Sequence, residues 1–198
     1  MKKKMILVGA PPACGKNYVS ELICNSISDI SYFDKDDLAP LIRRSFAVAN
    51  QDVNMDGSFY VDNLRDAEYE TILNLAFSAL RFSNCVLVNA PFIKEARDPA
   101  YMSKIKEKAN EYGAHLILVW VSASSDVCYK RMKLRNSERD TKKLENWDEY
   151  FEKTNYSVPF SLESSGAVDK VFEFNNEENE SAAESLKDFL NLIGESND

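Results

Sequence analysis

Histidine occurs once in this 198-residue chain, as His115, and the four cysteines, Cys14, Cys24, Cys85 and Cys128, show no C-x-x-C spacing. A lone imidazole and scattered thiols exclude the usual zinc clusters and leave no disulfide framework to expect. His115 opens an apolar run and reads as structural. Long hydrophobic runs are also missing: no segment approaches the ~20 apolar residues that span a bilayer. Positive charge is in deficit, with 24 Lys and Arg against 32 Asp and Glu and a net charge of −8. That balance argues against a broad nucleic-acid-binding face, which depends on clustered cations, although a local basic cluster stays compatible with it. Six prolines and six glycines mark turns without forming an interdomain linker, so residues 1–198 are expected to be a single domain. The lysines at positions 2–4 precede a run too short for a leader that passes straight into a turn. The reading is a first buried strand of a cytoplasmic protein with no membrane partner. The oligomeric state is not legible.

What is present is concentrated near the start. Met5 to Val8 is apolar, and Gly9-Ala10-Pro11-Pro12-Ala13-Cys14-Gly15-Lys16-Asn17-Tyr18 follows as a small-residue loop ending in Gly-Lys. The residues after it, to Ile27, have helical spacing. A strand, a loop and a helix N-terminus in that order aim backbone N–H groups at one point, where a phosphate is stabilised and Lys16 adds a full charge. Two positions depart from the pattern G-x-x-x-x-G-K-[ST]: Ala10 replaces the first glycine, and Asn17 replaces the hydroxyl residue that would face magnesium.

Farther along, apolar spacing predicts helices over Lys16 to Ser28, Leu38 to Ala49, Tyr60 to about Phe82, Pro99 to Tyr112, Ser125 to Arg135 and Ser181 to Ile193. Apolar runs at Ile30–Asp34, Cys85–Pro91, His115–Val121 and Lys170–Asn175 read as strands. The alternation predicts an α/β domain, a mainly parallel five-stranded sheet covered on both faces. Ligands of such sheets sit at the carboxyl ends of the strands. Three features fall there: Gly15-Lys16-Asn17, the cluster Asp34, Asp36 and Asp37, and the stretch Asn89 to Arg97. Near a transferring phosphoryl group, a carboxylate orients a hydroxyl, takes its proton or holds magnesium through water. The alternative is that Asp36 or Asp37 only caps the next helix.

Between Lys130 and Lys143, seven cations (Lys130, Arg131, Lys133, Arg135, Arg139, Lys142, Lys143) face only Glu138 and Asp140. Arg131 and Arg135, four apart, share a helix face and suit one phosphate, so residues 130–155 are expected to form a lid. The other reading is a solvated basic helix. Trp147, Tyr150, Phe151 and Tyr156 beyond it read as packing or as a platform for a base. Cys14, beside the phosphate, is a candidate low-pKa thiol.

With loop, carboxylates and basic segment in this order, the chain resembles the small P-loop kinases grouped with AAA-type ATPase domains, which include zeta-toxin-like kinases and phage-type polynucleotide kinase. The resemblance spans Lys4 to Tyr150 and rests on the Walker A-like loop, Tyr-Phe-Asp-Lys-Asp-Asp-Leu, Val-Leu-Val-Asn-Ala-Pro-Phe with Arg97, and Arg131-x-x-x-Arg135. It implies the P-loop nucleoside-triphosphate hydrolase fold with strand order 2-3-1-4-5, and ATP with Mg2+ as cofactors. The resemblance leaves the acceptor open, since the family phosphorylates nucleic acid ends, sugars, nucleotides and antibiotics; the leading reading is transfer of the γ-phosphoryl to a hydroxyl of a small-molecule acceptor. Lys16, Asp36 (as base), Arg131 and Arg135 then fall in catalytic positions. Asn17 and Asp34 would face the metal; Asp36, Arg65, Asn89 and Arg97 would meet the acceptor. Asn89 stands where many relatives have aspartate. The alternative is a nucleotide-binding regulatory or interaction module with weakened catalysis, and third a polynucleotide 5′-hydroxyl kinase, disfavoured by the acidic balance.

Overall fold

The computed structural model describes residues 2–137 and 140–195. In chain order its elements are β1 (Lys3–Gly9), α1 (Lys16–Ser26), β2 (Ile30–Asp34), a 3-10 turn (Lys35–Leu38), α2 (Ala39–Val48), α3 (Ser58–Asn63) and α4 (Arg65–Ala79). There follow β3 (Cys85–Asn89), a second 3-10 turn (Glu95–Arg97), α5 (Pro99–Glu111), β4 (Ala114–Ser122) and α6 (Ser125–Arg135). The chain continues through α7 (Thr141–Glu145), α8 (Trp147–Lys153), α9 (Ser161–Ser164), β5 (Lys170–Asn175) and α10 (Asn179–Glu195).

The strands form one five-stranded sheet in the order β2-β3-β1-β4-β5, every neighbouring pair parallel. Parallel neighbours need crossover connections, and the helices between the strands supply them. Both faces are therefore covered, and the central strands are apolar throughout: Met5 to Val8, Val86 to Val88 and Leu116 to Val121 are buried. One face packs α4 and α5 through Ile72, Leu73, Ala76, Met102 and Ile105. The other packs α1 and α10 through Val19, Ile23, Phe189 and Ile193. A small satellite cluster of Ile42, Phe46 and Tyr60 joins α2 to α3. No helix among the described residues is long and apolar enough to cross a membrane.

The single helix expected from Tyr60 to Phe82 is two. Leu64 leaves helical geometry at φ −121°, ψ −35°, separating α3 from α4. The buried stripe of α4 turns accordingly: Tyr69 and Phe77 face the core, while Leu75 is exposed. Register sets the site. Val8 and Asp34 both pair with Asn89, so three consecutive strands end in one row and their following loops open on a common edge.

Candidate active site

Residues 10–15 leave β1 as a tight loop whose entrance is tied to the segment just after β3, with Ala10 N–H donating to Pro91 O at 3.1 Å and Ala90 N–H to Val8 O at 3.3 Å. Ala10 is buried with its methyl in the core, which is how the loop accepts alanine at its entrance. Ala13 (φ 67°) and Gly15 (φ 91°) turn the chain through left-handed conformations. At Gly15 a side chain is doubly excluded: besides its φ, a Cβ would stand 2.2 Å from Asn176 Nδ2. α1 then begins without a side-chain cap and with no acidic residue in its first turn. Its first N–H groups lack intrahelical partners and carry the positive end of the helix dipole.

Over this helix end, Lys16 Nζ donates to Asn89 Oδ1 (2.5 Å) and Asn17 Oδ1 (3.0 Å). Asn89 is fully buried and acts as a hub. Its Oδ1 also accepts from Ser20 Oγ (3.2 Å), and its Nδ2 faces Asp34 Oδ2 (2.6 Å), Tyr32 Oη (2.9 Å) and Asn17 Oδ1 (3.1 Å). Burial lowers the pKa of Lys16 to about 8, with Asp34 and Asp36 pulling it back upward.

The three aspartates divide their work. Asp34 is the cap: its Oδ1 accepts the Asp36 N–H (2.9 Å), while Oδ2 accepts from Tyr32 Oη (2.8 Å) and Asn89. The capping role expected of Asp36 or Asp37 belongs to their neighbour, and both are left exposed. Asp36 is close enough to act on the charge of Lys16. Between them Lys35 turns inward to Glu68 (2.8 Å), which also accepts from Tyr60 Oη, fastening this turn to α3 and α4.

Arg65, Arg97, Arg131 and Arg135 each have an intramolecular partner. Arg131 grips the loop from below, donating through Nη1 to Cys14 O (3.2 Å) and through Nη2 to Asn176 O (2.8 Å). Asn176 Nδ2 donates to the same Cys14 carbonyl at 2.7 Å. Arg135 instead forks onto the buried Asp140, at 2.9 Å from Nε and 2.7 Å from Nη2. The expectation that Arg131 and Arg135 converge on one phosphate is therefore corrected: although four apart, they bind to different partners. Arg65, expected to meet an anion, is paired with buried Glu95 (2.6 Å) and lies over the Tyr69 ring (4.7 Å). Arg97 stacks on the Trp120 ring (5.1 Å) and donates to Ser157 O (2.5 Å) and Asn155 O (3.3 Å), joining the β3 edge to the segment after α8.

Cys14 also departs from expectation. Its Sγ is fully buried 3.6 Å from Cys128 Sγ, and that contact together with burial pushes the thiol pKa up. A thiol so placed is no exposed thiolate. The aromatic group packs on itself: Trp147 contacts Tyr150 and Phe151, and Phe151 stacks on Tyr156 at 4.1 Å. Tyr156 Oη reaches Pro12 O (3.3 Å), so this segment closes onto the phosphate loop. A cleft of about 670 Å³ opens there, lined by Pro12, Lys94, Arg97, Lys143 and Lys153, with Asp56 its one carboxylate among the described residues. Glu138 and Arg139 of the basic segment lie outside the described residues.

For a divalent cation, Asn17 Oδ1 and Asp34 Oδ2 are hard oxygen donors turned toward the same Asn89 amide. Among the described residues no group of three His, Cys, Asp or Glu side chains is placed to hold a metal. The donors fit a magnesium ion that keeps most of its waters and takes phosphate oxygens as ligands.

No family model and no curated protein sequence matches the chain. Solved structures do. Shikimate kinase from Bacteroides thetaiotaomicron matches at TM-score 0.55 and 14% identity, over 96% of this chain and 98% of that one. A sugar kinase from Janibacter sp. HTCC2649 matches at TM-score 0.56 and 10% identity, over 97% and 95%. A structure from the PezAT chromosomal toxin-antitoxin system of Streptococcus pneumoniae matches at TM-score 0.61 and 12% identity, over 88% and 68%. At these identities the likeness is one of fold, and the fold is that of the P-loop kinases.

Proposed function

We propose that the chain is an ATP-dependent phosphotransferase that moves the γ-phosphoryl group to a hydroxyl of a small-molecule acceptor. The observation that carries this reading is the juxtaposition of the uncapped α1 N-terminus, Lys16 and the Asp34–Asn89 row at one sheet edge.

In this reading the loop N–H groups of residues 13–18 and Lys16 hold the β- and γ-phosphates. A bound magnesium ion would be held by Asn17 and Asp34 and would offset phosphate charge. The acceptor lies in the cleft beside Pro12, where Lys94, Arg97, Lys143 and Lys153 supply positive charge. Asp36 accepts the hydroxyl proton as the acceptor oxygen bonds to the γ-phosphorus. The bond from that phosphorus to the β,γ-bridging oxygen breaks, and ADP leaves. Arg131 contributes by fixing the loop through Cys14 O, and Arg135 by bracing the lid on Asp140.

A second reading, a nucleotide-binding regulatory module, is favoured by one observation. The Asn17 amide oxygen is shared between Lys16 and Asn89, where a magnesium-binding hydroxyl would be unencumbered. Calorimetric titration with ATP, with and without magnesium, separates the two: the kinase reading expects affinity that magnesium raises and Lys16→Ala abolishes. Binding indifferent to both would sink it. An ATP-consumption screen over nucleosides, sugars, antibiotics and 5′-hydroxyl oligonucleotides then identifies the acceptor. Asp36→Asn should lower turnover with ATP affinity nearly intact.

A further inference from the structure

β2 is an edge strand, paired among the described residues with β3 alone. Side chains two apart on a strand share a face, so Tyr32 and Asp34 stand side by side at its carboxyl end. Packing does not account for Tyr32. Its neighbours Ile30 and Phe33 join the apolar clusters on the two faces of the sheet, whereas Tyr32 belongs to none of the three clusters and is 40% exposed. Its hydroxyl nevertheless has two partners, donating to Asp34 Oδ2 at 2.8 Å and accepting from Asn89 Nδ2 at 2.9 Å.

Asp34 Oδ1 is held by one bond, from the Asp36 N–H at 2.9 Å, about which the carboxylate is free to pivot, since a carboxyl torsion has broad wells. What fixes its plane are the two donors on Oδ2, Tyr32 Oη and Asn89 Nδ2, the latter at 2.6 Å. These donors are not equivalent. The Asn89 amide nitrogen carries two protons and faces three acceptors, Asn17 Oδ1, Tyr32 Oη and Asp34 Oδ2, so one of the three always goes short. The Tyr32 proton has Asp34 Oδ2 as its one acceptor among the described residues and is not divided. Asn89 is also tied through Oδ1 to Lys16, so its place shifts when Lys16 turns to a phosphate. The bond from Tyr32 does not involve Lys16.

From this arrangement we infer that Tyr32 is a positioning residue for phosphoryl transfer: its hydroxyl holds Asp34 Oδ2 turned toward Asn89 and Asn17 at the head of α1. The inference rests on the proposed function, in which Asn17 and Asp34 hold a magnesium ion beside the nucleotide phosphates. A hydrogen-bond partner behind a ligating carboxylate sets its orientation and raises the affinity of the site for the metal without touching it. Tyr32 itself takes no proton from the acceptor, a task that stays with Asp36. Removing only the hydroxyl strands no donor, because Asn89 Nδ2 keeps Asp34 and Asn17 as acceptors. The partly exposed ring stays in place, so Tyr32→Phe tests orientation with the fold intact.

Calorimetric titration of the full chain with the β,γ-imido analogue of ATP, repeated over a series of magnesium concentrations, tests the assignment without requiring turnover. Tyr32→Phe should raise the magnesium concentration that gives half of the affinity gain by about threefold to tenfold, with metal-free affinity unchanged within about twofold. Asp34→Asn should remove most of the gain, and adding Tyr32→Phe to it should change nothing further, since the hydroxyl acts only through that carboxylate. A merely structural tyrosine would lower affinity with and without metal alike and would add its loss to that of Asp34→Asn. Either of those results, or an unchanged magnesium requirement in Tyr32→Phe, overturns the role of Tyr32 while the wild-type response to magnesium keeps the kinase reading standing. A wild-type chain indifferent to magnesium overturns both, because Asp34 then has no ion to be turned toward.

Discussion

Lys16 is a cation held in a place that disfavours its charge. Its pKa of about 8 means that the folded, empty protein releases this proton below the ordinary value of 10.5. The unfolded chain therefore binds more protons between those limits, and this group's destabilising effect, full below about pH 8, fades as pH rises toward 10.5. Lys16→Met should thus raise the apo melting temperature by roughly 2–6 °C at pH 7, abolish ATP binding, and lose its melting advantage above pH 10. ATP affinity of the native chain should fall as pH rises beyond about 8, because phosphate binding needs the ammonium form. Asn89→Asp, placing a carboxylate 2.5 Å from that nitrogen, should move the fall to higher pH, which titration calorimetry at several pH values would detect. Lys16, Asp34 and Asn89 were legible in the sequence because motif and strand end converge on them. Ser20, Tyr32 and Asn176 were not, since a polar side chain inside a helix or strand, or just past one, carries no local signal of its distant partner. Cys14 was misread for the same reason: its environment is made by Cys128, 114 positions away.

At the scale of elements, the sheet and its crossovers follow from apolar runs that alternate with helical spacing, and they were read with the right order. The break at Leu64 was not, because the apolar positions of α3 and α4 continue across it in compatible phase. What fixes the break is tertiary: Glu68 is drawn to Lys35 and Tyr60, and Arg65 to Glu95. The basic segment shows the same limit, as Arg131 and Arg135 share a helical spacing but not a partner. The phosphate loop depends on space as much as on charge. Gly15→Ala should cost roughly 2–4 kcal/mol in denaturant unfolding, from the left-handed φ and the Asn176 amide together. Asn176→Ala should cost less, about 1 kcal/mol, since Arg131 still holds Cys14 O, yet weaken ATP binding measurably.

Across the whole molecule, the phosphate loop is hydrogen-bonded to segments far away in the chain: Pro91 after β3, Arg131 on α6, Tyr156 after α8 and Asn176 after β5. The segment after α8 is fastened by Arg97 through the carbonyls of Asn155 and Ser157. Arg97→Ala should release this edge, seen as faster amide hydrogen exchange over residues 150–158 with exchange in β1 and β3 unchanged.

The clamp on the Cys14 carbonyl joins positions 162 apart in the chain. The Gly-Lys motif therefore takes part of its shape from a side chain that becomes available only once β5 has joined the sheet. A chain truncated before β5 would carry the whole Gly-Lys signature and keep Arg131, yet lose the Asn176 amide from the Cys14 carbonyl, so the loop's shape depends on the last strand of the sheet as well as on its own residues.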